Sequence, residues 1–172
     1  GLDRLCIPLV EVALAPITAT PQRVEEVALT LGRLMRSTGR AARGLGTIRQ
    51  DINISLAGQG VVEVKGVQKL NLLAKVIEFE VKRQLGLLQV SAELRKRGVK
   101  AEDMELTPLD VTSLFKSTSN KVLRRVFDQG GRILAVRLKG FRGLMGFEPY
   151  PGIRLGREMA ELVRFYGLGG IF

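Results

Sequence analysis

Three carboxylates, Glu11, Asp51 and Glu63, stand among neighbours that could turn them toward one substrate. In "GLGTIRQDINIS" (44–55) Ile48, Ile52 and Ile54 fall on one parity, and Arg49, Asp51, Asn53 and Ser55 on the other. In "VVEVKGV" (61–67) Val62 and Val64 share one parity, while Val61, Glu63 and Lys65 share the other. Successive side chains of a strand point to opposite faces. Aligning the apolar sets in a core therefore leaves Arg49, Asp51, Asn53, Ser55, Glu63 and Lys65 on one face. Such a face can hold hydrated magnesium through Asp51 and Glu63 while Arg49 and Lys65 hold phosphate oxygens, the division of labour in phosphoryl transfer. Cross-strand ion pairs on a solvated sheet use the same residues, and the pattern alone favours that plainer meaning. Glu11 is the one charge in the apolar run "IPLVEVALAP" (7–16). A buried carboxylate there needs a pairing cation, hydrogen bonds or a metal; the other possibility is a strand with one wet face.

The elements that must position these residues follow from spacing. Residues 7–16, bounded by Pro8 and Pro16, read as a mostly buried strand. Thr20 followed by Pro21 starts a helix, with Val24, Val27, Ala28, Leu31, Leu34 and Met35 at helical spacing and Gly39 as the stop. Its exit is basic, through Arg33, Arg36, Arg40 and Arg43. The turn "AGQG" between the two alternating runs predicts a β-hairpin. A long helix begins near Asn71, with a core stripe of Leu73, Val76, Ile77, Val81, Leu85 and Leu88, a weakening or bending Gly86, and Gly98 at its end. Residues 98–111 lose the periodicity and carry Pro108, which marks a linker between a first domain (1–97) and a second (112–172). In the second, "STSNKVLRRVFDQGG" predicts a capped short helix, "RILAVRLKG" a strand, "FRGLMGFEPYPGIRLG" a loop, "REMAELVRFYG" a helix and "LGGIF" the start of a strand. The fold class is α+β.

Composition narrows the partners. The chain of 172 residues carries 27 Lys plus Arg against 17 Asp plus Glu, a formal charge of +10, which draws polyanions such as nucleic acid. Arg40, Arg43, Lys116, Lys121, Arg124 and Arg125 are the candidate nucleic-acid contacts, with Arg132 and Arg137 near the last four. A solvated helix face is the alternative for that cluster. With Cys6 the only cysteine and no histidine, neither a disulfide framework nor an ordinary zinc site can form. The glycines at 44–46 and 140–146 match no nucleotide-loop pattern, so turns explain them. No apolar run spans a bilayer and no signal sequence opens the chain, so the expectation is a soluble, cytoplasmic protein without membrane contact. A start at Gly1 and an apolar end suggest a piece of something longer.

Together, "GLDRLCIPLVEVALAP", "GLGTIRQDINIS", "VVEVKGVQKLNLLAKVIEFEVKRQ" and "DVTSLFKSTSNKVLRRVFDQGGRILAVRLKGFRGLMG" resemble the family of archaeal glutamyl-tRNA(Gln) amidotransferase E subunits and, over 1–97, the related bacterial B subunits. The shared features are a PL-x-E strand, an R-x-D-x-N-x-S strand and an E-x-K strand leading into a long helix. The resemblance implies a partial cradle-type catalytic domain of mixed or antiparallel sheet with helices. From about Thr112 it implies a truncated insertion domain like that of bacterial aspartyl-tRNA synthetases.

That family uses ATP and magnesium to phosphorylate the side-chain carboxylate of glutamate misacylated onto tRNA(Gln), and ammonia then displaces phosphate. The resemblance implies Glu11, Asp51 and Glu63 as catalytic and magnesium-organising acids, with Arg49, Asn53 and Lys65 as ATP-binding neighbours. It also implies a glutaminase-type D subunit as partner, in a heterotetramer. The family pattern opens with an earlier strand bearing a G-L-E-I-H-type motif that also serves the metal, and these 172 residues hold neither that strand nor a histidine. They are therefore expected not to amidate alone. A non-catalytic basic RNA-binding module is the competing function.

Overall fold

Thr20 and Pro21 open the first helix as the sequence predicts. In the computed structural model, which describes residue 6 and residues 9–44, 46–104 and 107–171, α1 spans Pro21–Ser37. The Thr20 hydroxyl accepts the Arg23 N–H at 3.3 Å, satisfying one of the amides that a helix start leaves without a partner. Gly39, at φ 70°, follows the helix in the left-handed conformation that glycine adopts without strain.

The hairpin forms with the predicted parity. Strands β1 (Ile52–Ser55) and β2 (Val61–Val64) pair antiparallel, with Ile52 opposite Val64, Asn53 opposite Glu63, Ile54 opposite Val62 and Ser55 opposite Val61. Ile54 is buried to 6% exposure, and Asn53, Ser55 and Glu63 are exposed. One face is thus apolar and turned inward, the other polar and wet.

Helix α2 (Leu73–Lys96) follows a short 3-10 turn at Leu70–Leu72. In its first turn the Ala74 N–H donates to the Glu25 carboxylate of α1 at 3.0 Å, placing a negative charge at the positive end of the helix. Gln22 of α1 donates to Glu78 at 2.9 Å. Leu73, at 1% exposure, and Ile77 are buried as predicted, but Leu85 and Leu88 are exposed, while Gln84, Gly86 and Val90 are buried instead. Gly86 supplies the reason: a Cβ there would stand 2.6 Å from Pro149 Cα, so the helix is closely covered by backbone on that face. Glycine at this position serves close packing, where the sequence suggested a weak point or a bend.

The chain divides into two compact units, one holding the described residues up to Ser55 with Gly60–Glu78, the other Leu56–Gln59 and Phe79 onward. The second unit contains the latter part of α2, β3 (Leu109–Asp110), α3 (Lys121–Asp128), β4 (Leu134–Ala135) and α4 (Leu155–Phe165). Strands β3 and β4 pair antiparallel. Asn120 caps α3 by accepting the Val122 and Leu123 N–H groups. Val90, Leu144 and Leu155 form the core, with Phe141, Phe147 and Met159 against it. At its edge Arg83 bridges Glu80 at 3.3 Å and Glu158 at 2.6 Å, joining α2 to α4 by an ion pair half-shielded from water.

Three predicted strands differ. Residues 9–16 are exposed and form no strand, with Leu9 at 82% and Val10 at 73%; Ile7 and Pro8 lie outside the described residues. A strand exists only through a neighbour's hydrogen bonds, and none pairs with this run among the described residues. "RILAVRLKG" is reduced to the two residues of β4. Residues 168–171 form no strand, and Phe172 lies outside the described residues.

Candidate functional site

The polar face of the hairpin gathers the charged residues picked out by alternation. Register puts Asn53 beside Glu63 across the ladder. Just beyond the paired residues, the Asp51 carboxylate accepts the Gly66 N–H at 2.8 Å, closing the open end of the hairpin. Lys65 reaches along its own strand to Glu63, Nζ to Oε2 3.0 Å. The Glu63 carboxylate, by hydrogen bond and by charge, holds the Lys65 ammonium above the ordinary lysine range, and the charges of Asp51 and Glu11 push the same way. Glu11 thus lies within electrostatic reach of this face although its segment is no strand. It is exposed, which removes the burial cost that made it conspicuous in the sequence. Arg49 is exposed, three residues before β1 begins, and among the described residues it makes no hydrogen bond or ion pair with this face.

The donors on this face are hard carboxylate and amide oxygens, of the kind that suits magnesium. Among the described residues no three acidic, cysteine or histidine side chains converge into a metal cage. Asp51 and Glu63 are the carboxylates of this face that could hold a hydrated ion completed by water.

The predicted nucleic-acid residues fall into two sets, one in each unit. Arg40 and Arg43 follow α1 in the first unit and are exposed. In the second, Lys121, Arg124 and Arg125 are exposed on α3 while Leu123 faces inward, and Lys116 is exposed after the 3-10 turn at Thr112–Phe115. The spacing of Lys121 with Arg124 and Arg125 puts all three on one side of the helix.

The first unit also holds a concave site that the sequence does not mark. A cleft of about 290 Å³ lies between α1 and the chain on either side of the hairpin, lined by Arg33, Arg36, Gln50 and Gln68 over an apolar floor that includes Ile48 and Val67. Gln50 donates to the Ala28 carbonyl at 2.8 Å, and its own carbonyl accepts the Val67 N–H at 3.2 Å, fixing the three segments together. The one local signal for it is the Arg33/Arg36 pair, three apart on one helix.

The chain is of the α+β class, basic overall, with an acidic, cation-edged hairpin face. Comparison with known proteins narrows that class. Residues 1–129 match the family described as the GatB/GatE catalytic domain. The chain is 51% identical over 171 residues to the E subunit of the glutamyl-tRNA(Gln) amidotransferase of Pyrobaculum calidifontis, covering 99% of this chain and 28% of that protein. It is 48% identical over 172 residues to the E subunit of Aeropyrum pernix and 47% over 171 residues to that of Pyrococcus furiosus, in each case covering 99% of this chain and 27% of the relative. The chain belongs to the GatB/GatE catalytic-domain family, and it spans little more than a quarter of the length of these relatives. Among the described residues no helix is long and apolar enough to cross a membrane.

Proposed function

We propose that the protein carrying this chain is the subunit of a cytoplasmic tRNA-dependent amidotransferase that converts Glu-tRNA(Gln) to Gln-tRNA(Gln). The observation that carries this is the single face on which Asn53, Glu63, Lys65 and Asp51 meet, within electrostatic reach of Glu11, in a member of a catalytic-domain family. A carboxylate resists attack by ammonia until one oxygen becomes a good leaving group. An oxygen of the glutamyl side chain attacks the γ-phosphorus of ATP, ADP leaves, and an acyl phosphate forms. Ammonia then adds to the acyl carbon, and collapse of the tetrahedral adduct expels phosphate and leaves the amide.

Arg49 and Lys65 offset the repulsion between the polyphosphate and the substrate carboxylate and orient the γ-phosphate for in-line attack. Glu11, Asp51 and Glu63 would hold magnesium and order its water shell, and the ion supplies charge neutralisation on the phosphates. Asn53 offers an amide for orienting a phosphate or substrate oxygen beside Glu63. Lys65 must leave Glu63 to engage phosphate, and the exposure of their ion pair makes that exchange inexpensive. Ammonia comes from a glutaminase-type D subunit, in a heterotetramer. The chain from about Thr112 is the start of an insertion domain like that of bacterial aspartyl-tRNA synthetases, and Arg40, Arg43, Lys116, Lys121, Arg124 and Arg125 contact tRNA.

Glu11→Ala and Asp51→Ala, made in the full-length protein paired with its glutaminase-type partner, should abolish amidation and leave tRNA affinity nearly unchanged. Full activity in both variants would return the hairpin face to a solvated ion-pair ladder and favour a non-catalytic RNA-binding module.

A further inference from the structure

We infer that the cleft between α1 and the two flanks of the hairpin is a binding site for the sugar-phosphate backbone of an RNA strand, apart from the hairpin face. It rests on the function proposed above only for RNA as the class of ligand. The cleft presents two guanidinium groups, Arg33 and Arg36, and no carboxylate. Neither arginine has an ion-pair partner among the described residues, so both forks of donors remain for an anion. Guanidinium is the side chain best matched to phosphate, because its planar N–H pairs meet two oxygens at once. Three residues apart on a helix, the two groups lie on one side and can grip neighbouring phosphates.

The rest of the lining suits the remainder of a nucleotide. Ile48 and Val67 give an apolar floor for a sugar or base face, and Gln68, exposed beside them, carries an amide for a hydroxyl. Gly32 lies within the lining, where a side chain would occupy the space between α1 and Gln50. Beyond Arg36 the chain carries two further exposed arginines, Arg40 and Arg43, so positive charge in this part of the chain extends past the residues that line the cleft. A free nucleotide shares this chemistry, but Arg33, Arg36, Arg40 and Arg43, two of them outside the cleft lining, offer more cations than a monomer needs and suit a polymer better.

The test measures binding of an unacylated oligoribonucleotide of about 12 nucleotides to the full-length protein across a salt series. ATP is titrated in a parallel arm. The double variant Arg33→Ala/Arg36→Ala should weaken RNA binding about tenfold and lower the slope of log K against log salt by about 1.4, the value for two single-strand phosphates. Arg33→Lys/Arg36→Lys should keep the slope while recovering only part of the affinity. Gln68→Glu, which adds a negative charge without removing either arginine, should weaken binding in the same direction. Unchanged affinity and slope in the double alanine variant would overturn the site. Loss of ATP binding with RNA binding intact would also overturn it, because the cleft would then hold a free nucleotide. Since the RNA carries no amino acid, a failed amidation assay for the hairpin variants leaves this result readable by itself.

Discussion

Asn53 stands directly across the ladder from Glu63, and Glu63 in turn holds the ammonium of Lys65 at 3.0 Å. The ladder thereby sets an amide beside a carboxylate, and an ion pair adds the cation just beyond the end of β2. Glu63→Gln should move the Lys65 ammonium downward, toward the ordinary lysine range, as followed by side-chain nitrogen NMR. The linkage has a definite sign. A lysine whose folded pKa is raised contributes stability below its unfolded pKa and loses it as pH rises through the folded value. The small alkaline decline should therefore be reduced in Glu63→Gln. A Lys65 titration that does not move would remove Glu63 as the controlling neighbour.

Asp51 has two separable roles. Its Oδ1 accepts the Gly66 N–H, and its charge belongs to the proposed metal and phosphate face. Asp51→Asn keeps an acceptor oxygen and should change stability by less than about 0.5 kcal/mol. Asp51→Ala removes the hydrogen bond and should cost about 1 kcal/mol. Both should lose amidation if the charge is what matters. Activity retained by Asn and lost by Ala would confine Asp51 to closing the hairpin.

In the second unit, Gly86→Ala should destabilise the fold by about 1–3 kcal/mol, seen as a lower urea midpoint. Helix propensity alone predicts the opposite, a gain of up to about 1 kcal/mol. The contact with Pro149 decides the sign, because the atom met first is backbone and cannot rotate away. A midpoint that rises would show that the 146–153 turn moves freely off α2.

Charge reversal at Arg124 and Arg125 on the exposed side of α3 should weaken tRNA binding and flatten its salt dependence, by roughly one unit of slope for each phosphate no longer engaged. Leu123, the buried residue of that helix, is untouched by the change, so thermal stability should be preserved. An unaltered salt slope would leave these arginines as a solvated helix face.

Local signals carried much of the architecture. Thr20–Pro21, Asn120 and the glycine turns act through bonds to near neighbours in sequence, and the elements they delimit appear where those residues place them. Strict alternation likewise made the two hairpin faces legible, since period 2 leaves one choice of register once Ile54 is buried. Residues whose state depends on distant partners were not legible. The apolar run at 9–16 has the composition of a buried strand, yet composition does not supply a pairing neighbour. The inner face of α2 beyond Glu80 was set by the approach of Pro149, which lies 63 positions after Gly86 and leaves no periodic trace. For the same reason the Arg33/Arg36 cleft was invisible, because its floor comes from both flanks of a hairpin and its wall from a helix.

The exposed run from Leu9 to Ile17 also governs how these residues behave as a material. Leu9, Val10, Val12, Leu14 and Ile17 present apolar side chains to water in a run that belongs to no helix or strand, and clustered exposed apolar groups recruit other chains. The formal charge of +10 opposes that recruitment at low ionic strength and is screened at high. Added salt should therefore turn a clear solution of the isolated chain cloudy, reversing the usual expectation that salt disperses a basic protein.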